Sequence, residues 1–255
     1  MKEKIYTIPV NDAYAHPGPC PLCSLQTAMN RNLVDYYLGP ALMEPDVRKA
    51  TNDKGFCGRH LAELFNREDN RLGLGLVLHT HLDHLARDIN PLLTASAPPG
   101  NAGLLRGRQK DFKKSILDLA DLVDRRASSC IICERLDYTM DRYLDVIFHL
   151  YFVDLAFKKR FDEGDGYCLP HLSMLLRGAA KYLNQNQAAE LLGCLAAMQN
   201  QSLLTLGDDV EWFTRKFDYR NQQKDWKNSK DALPRAIKKL SGSSGLLPRA
   251  KENGV

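Results

Sequence analysis

The chain lacks any long apolar stretch. Among its 255 residues no uninterrupted run reaches the roughly 18 apolar residues of a spanning helix. Its start, MKEKIYTIPV, carries the positive charge of an export signal without the apolar core of about 7–15 residues that should follow. These absences predict a cytoplasmic protein with no membrane partner. Three motifs are missing as well: G-x-x-x-x-G-K-[ST], G-x-G-x-x-G and G-x-S-x-G. Phosphate cradling and acyl transfer therefore have no sequence support. Strand-type alternation is scarce, and the charge excess is small, 35 Lys+Arg against 31 Asp+Glu.

That excess is uneven. Residues 218–255 hold nine Lys/Arg and four Asp/Glu, a net of +5, while residues 1–217 hold 26 against 27, a net of −1. The body is neutral and the tail is basic.

Seven cysteines are present, and six of them fall into a pattern. Cys20 and Cys23 form a C-x-x-C, followed by Cys57 and His60 in GFCGRH. Cys130 and Cys133 form another, followed by Cys168 and His171 in GYCLPH. The gap from second to third Cys is 34 positions in the first set and 35 in the second. An offset of 110–111 residues also superposes Gly55-Phe56-Cys57 on Gly166-Tyr167-Cys168, Leu61 on Leu172, Leu64 on Leu175 and Asp35 on Asp145. The pattern is that of an internal duplication, one helical unit used twice.

Apolar residues recur at helical spacing after each C-x-x-C: Leu25, Met29, Leu33 and Tyr36 in the first set, Leu136, Met140, Tyr143 and Ile147 in the second. Charged segments (45–54 and 153–162) precede each C-x-x-H, and periodic apolar segments (72–89 and 188–217) close each unit. The predicted fold is all-α. Residues 1–90 form the first unit and 91–108 a Pro/Gly-rich linker. Residues 109–217 form a bridging helix with the second unit, and 218–255 the tail.

In a reducing compartment, clustered cysteine points to metal or redox chemistry. Each tetrad offers three thiolates and one imidazole, a usual closed zinc set, so two zinc ions are expected. Four protein ligands leave no open position, which favours structure over catalysis. The alternatives are an iron–sulfur cluster, thiol–disulfide exchange at either C-x-x-C, and cysteines packed as small hydrophobes. Covalent haem needs C-x-x-C-H, whereas Ser24 and Glu134 follow here. Either each tetrad closes within its own unit, or the C-x-x-C of one unit meets the C-x-x-H of the other.

Weaker signals have plainer readings. His79, His81, Asp83 and His84 match the H-x-H-x-D-H string of metallo-β-lactamase-like hydrolases, but their flanks continue a helix, so helix-surface or core histidines are expected. His16 is a spare ligand or an exposed loop residue. Cys194 is expected as a buried structural thiol and His149 as a core histidine with a hydrogen bond. The tail offers Lys, Arg and aromatic residues to an acidic partner or a nucleic acid. The plainer expectation is that it wraps onto the body through Phe217, Tyr219 and Trp226, with a helix over 229–240 and a loose end beyond Ser241.

MKEKIYTIPVNDA, CPLC, LGP, GFCGRH, NRLGLGLVLHTHL, the CIIC/GYCLPH pair and KFDYRN…W…NSKDALPRAI together resemble one family. It is a group of bacterial proteins, common in clostridia, known only as a domain of unknown function. The resemblance covers nearly the whole chain and implies a helical cytosolic protein with all eight tetrad positions matched. It implies no activity, though it marks HTHL and the tail as family features. The expected role is an interaction or regulatory module for an unidentified protein partner. The rivals are a redox protein and a nucleic-acid-binding regulator that uses the tail.

Overall fold

Helix boundaries fall where the sequence supplies caps and breakers. The computed structural model describes residues 3–16, 18, 20–96 and 112–242. Every regular element among these residues is helical. In order they are α1 (Glu3–Ala15), α2 (Pro21–Leu38), a 3-10 turn (Pro40–Met43), α3 (Pro45–Lys54), α4 (Gly58–Asn66) and α5 (Arg71–Ser96). Then come α6 (Phe112–Ser128), α7 (Ile131–Val153), α8 (Leu155–Asp162), α9 (Leu169–Tyr182), α10 (Gln185–Arg215) and α11 (Ala232–Ser241).

α2 stops before Gly39-Pro40, and Pro45 opens α3, where a missing N–H costs nothing. Asp154 caps α8 by accepting from the N–H groups of Ala156 and Phe157. Asn184 and Gln187 form a capping box on α10. The charged segments before each C-x-x-H are thus helices in their own right. α5 runs through Pro91 to Ser96, past the start of the expected linker, whose remainder (97–108) lies outside the described residues.

The helices condense into two compact units, cut differently from the two halves of the sequence. One is contiguous, Met29–Asp137, and the other is split, Met1–Ala28 with Tyr138–Val255. The boundaries fall inside α2 and α7. In the contiguous unit α3 packs on α5 and α5 on α6. Leu33, Val34, Phe56, Leu64, Leu74 and Val77 are buried, and Tyr37 meets Phe56 edge-on at 5.8 Å.

In the split unit α1 packs on α8, α8 on α10, and α11 on both α9 and α10. Its core is aromatic. Tyr14 stacks on Phe161 at 5.8 Å, Phe161 meets Tyr151 and Tyr167, and the hydroxyls of Tyr14 and Tyr167 are 2.9 Å apart. Each large side chain taken from water contributes roughly 1.5–3 kcal/mol. The paired hydroxyls satisfy one another where water is excluded.

The tail folds back, through two of the three expected aromatics and one further anchor. Phe217 and Trp226 both meet Phe213, at 5.5 and 5.9 Å, although Phe217 stays 73% exposed, and Tyr219 is 80% exposed. The organising group is Lys216. It is buried, and its Nζ donates to the carbonyls of Asn221, Gln222 and Lys224 at 2.7, 2.8 and 2.5 Å. α11 follows, an amphipathic helix ended by Gly242 in a left-handed conformation (φ 78°). Residues 243–255, the expected loose end, lie outside the described residues.

Candidate metal centres

Each C-x-x-H is set by a glycine two residues upstream of its Cys. Gly55 and Gly166 have φ of 60° and 77°, a region costly for any side chain. A Cβ on Gly55 would lie 2.4 Å from His81 Nε2, and one on Gly166 would lie 2.9 Å from Gln199 Oε1. After this turn the Cys is the N-cap of the next helix, with φ/ψ of −71°/162° at Cys57 and −66°/155° at Cys168. His60 and His171 then fall in the first helical turn beside their Cys. The C-x-x-C pairs likewise straddle the starts of α2 and α7. Each thiolate therefore lies by the positive end of a helix dipole.

The eight side chains gather into two groups, and each group combines a C-x-x-C from one half of the sequence with the C-x-x-H of the other. Cys20, Cys23, Cys168 and His171 meet in the split unit. Cys57, His60, Cys130 and Cys133 meet in the contiguous unit. Of the two closures the sequence leaves open, the structure shows exchange between halves. In the contiguous unit the backbone shows why: Ile131 N–H, just after Cys130, donates to the Gly55 carbonyl at 3.1 Å. This bond docks the second C-x-x-C onto the first glycine turn. Pro21 stands at the matching place in the split unit and has no N–H to give.

Within each group the ligand atoms all lie within 4.8 Å of one another. A tetrahedral ion with bonds of about 2.3 Å to sulfur and 2.0 Å to nitrogen needs edges of about 3.8 Å (S···S) and 3.5 Å (S···N). In the split unit Cys23–Cys168 is 3.6 Å, and Nδ1 of His171 lies 3.6, 3.3 and 3.1 Å from Cys20, Cys23 and Cys168. In the contiguous unit Cys57–Cys133 is 3.7 Å, and Nδ1 of His60 lies 3.4, 3.2 and 3.4 Å from Cys57, Cys130 and Cys133. Both groups could hold a metal ion.

The two sites differ in cover and electrostatics. All four ligands of the split unit are buried, whereas Cys57 and Cys133 are half-buried. Burial opposes the charge on His171, but hydrogen bonds to Cys168 and Cys23 prevail and lift it to about 9. His60 is lowered, by burial first and then by Arg59. Its Nε2–H donates to Asn30 Oδ1 at 2.8 Å, which fixes the tautomer that leaves Nδ1 free for a metal. Asn30 is itself held by donating to Glu63 at 2.5 Å. Burial pushes the Cys133 thiol up to about 12. At Cys57 burial acts upward too, yet the His60 backbone N–H and the Cys133 and Cys130 thiols bring the value below that of an ordinary thiol.

A family model described as "Family of unknown function (DUF6062)" matches residues 1–245. The chain belongs to this family. No curated protein and no solved structure matches it. The DUF6062 span takes in both tetrads, all of α11 and the H-x-H-x-D-H string.

That string is not a metal group. His81 Nδ1–H donates to the Asn52 carbonyl at 2.8 Å, and His84 lies 3.3 Å from Asp53. Asp83 pairs with Arg87 at 2.6 Å, and His79 is exposed. His16 bonds the Asp12 carbonyl at the end of α1. Cys194 is half-buried rather than buried. Its thiol donates to Asp162 at 3.0 Å and is pushed up to about 11 by burial first and Asp162 second. His149 is exposed, on the outer side of α7, and is not a core residue. Among the described residues no helix is long and apolar enough to cross a membrane. Sequence reasoning missed Asn30 and Lys239, since neither carries a motif signature.

Proposed function

We propose that the protein binds two zinc ions, one per Cys3His group, and works in the cytoplasm as an interaction or regulatory module. The observation that carries this reading is the ligand spacing, which matches the edges of a tetrahedron around one ion. A multinuclear iron–sulfur cluster spreads its ligands over several atoms, so this spacing favours a single ion. Four protein ligands per ion leave no place for water or substrate, which favours a structural role over metal catalysis. The recurrence of five helices in the same order (α1–α5, then α6–α10), with matching glycine turns and Cys N-caps, supports an internal duplication. In the tail, Arg235 and Lys239 are engaged within the protein, as is Lys216 just before it, which weakens the rival nucleic-acid reading.

The test is metal analysis with an absorption spectrum of anaerobically purified protein. About two zinc per chain and no visible band are expected. Iron, acid-labile sulfide and a broad visible band would overturn the zinc reading.

A further inference from the structure

The sulfurs of the split unit form part of a cavity wall. A space of about 330 Å³ borders Cys20, Cys23 and Cys168, a volume within the range of small-ligand sites. α10 adds Gln201, Ser202 and Thr205 to the wall, and α11 adds Arg235, Lys238 and Lys239. Met198 and Leu206 supply apolar surface. Donors dominate this lining, against one carboxylate, Asp165.

The cations are not equally available. Arg235 is tied to Asp209 and Asp231, each at 2.9 Å. Lys239 is buried and, among the described residues, forms no ion pair with a carboxylate, although that of Asp165 is near enough to favour its charge. Its Nζ donates to the Asp165 carbonyl at 3.0 Å and the Ser202 hydroxyl at 2.7 Å, two neutral acceptors. Three thiolates around a divalent ion leave a net charge of about −1, which the single charge of Lys239 offsets. Lys238 remains, exposed on the same helix, its ammonium group without a hydrogen bond or ion pair among the described residues.

We propose that this cavity binds a small organic acid, with its phosphate or carboxylate head at Lys238 and its apolar body against Met198 and Leu206. The inference gives the protein a ligand beyond its metals, and it stands on the cavity rather than on the identity of the ion.

The test is calorimetric titration of the full chain, as purified with its metal, using phenyl phosphate, benzoate and phenol as probes. At least one acid is expected to bind, and phenol to bind roughly tenfold more weakly or not at all. Which acid binds more tightly distinguishes a phosphate head from a carboxylate head. Lys238→Glu, at an exposed position, should weaken the acid roughly tenfold or more with helicity and metal content unchanged. Lys49→Glu, an exposed lysine of the contiguous unit, should have no effect. Absence of binding by both acids, equal binding of phenol, or an unaltered Lys238→Glu titration would overturn the proposal. Metal content measured on the same samples separates the two readings. A metal-free preparation that still binds an acid refutes zinc alone, and a zinc-replete one that binds neither acid refutes the cavity alone.

Discussion

Replacing Asn30 by leucine tests one site through a residue that touches no metal. Leucine matches the branched four-atom skeleton of Asn30, with more bulk, but removes the Oδ1 that accepts from His60 Nε2–H at 2.8 Å. His60 Nε2 then keeps only Arg59 Nη2, a donor 3.0 Å away, which favours moving the proton to Nδ1, and His60 loses the contact that aims Nδ1 at Cys57, Cys130 and Cys133. Loss of an outer partner of a metal-bound histidine weakens affinity about 10–100-fold. That range corresponds to about 1.4–2.7 kcal/mol. Glu63, freed from Asn30, is partly exposed and stays within 3.8 Å of Arg59, so stranding it adds little. The assay is competition between the metal-loaded chain and a chromophoric chelator. Two equivalents should be withdrawn in the wild type. In Asn30→Leu one should leave at about 10–100-fold lower chelator concentration, while the equivalent held by Cys20, Cys23, Cys168 and His171 leaves as before. If neither moves, Asn30 does not hold His60. If both move together, the sites are not independent, and the assignment of one site to each compact unit fails.

Gly166→Ala places a side chain at φ 77° and 2.9 Å from Gln199 Oε1. It should cost roughly 1–2 kcal/mol from the left-handed backbone alone, read as a lowered Tm. An unchanged Tm would show that the turn relaxes. Leu175→Ala, at a fully buried position one turn beyond His171, should cost about 2–5 kcal/mol in denaturant unfolding. A cost below about 1 kcal/mol would contradict the packing described. Stability should respond to pH with opposite sign in the two metal states. In metal-free protein His171 is raised to about 9, so its contribution is full below about pH 6.5 and is lost as pH climbs through 9. With metal bound, protons compete for the ligands and stability should rise with pH. Thermal melts of both forms between about pH 6 and 9 check this, and parallel trends would refute it.

The eight residues that gather into the two groups were legible because C-x-x-C and C-x-x-H each describe one helical turn, and a turn is local. Their partnership was not. Cys23 and Cys168 meet at 3.6 Å through a contact between residues 145 positions apart, which no spacing rule encodes. The glycine before each C-x-x-H was visible as a repeat, but its reason, the approach of His81 to one and Gln199 to the other, is tertiary. Helix α7 was plain from its period, yet His149 was misjudged because flanking apolar letters (IFHLYF) hide which side of the helix faces out. In the tail, composition marked the aromatics as anchors. The structure adds Lys216, whose three N–H groups match three carbonyls of a turn whose path the sequence does not declare. Lys239 shows the same limit, since a lysine in a basic run gives no sign that it will be buried beside sulfur.

The exchanged pairing nests one closure inside the other. Cys57 to Cys133 lies wholly between Cys23 and Cys168, like an inner bracket within an outer one. On the ribosome the inner set is complete once Cys133 has emerged, whereas Cys20 and Cys23 must wait for Cys168 and His171. During that interval the early pair is an unsatisfied dithiol, open to the wrong metal or to oxidation. In chain order, then, the inner group is the first that can be completed, and the first-made cysteines are the last to find their partners.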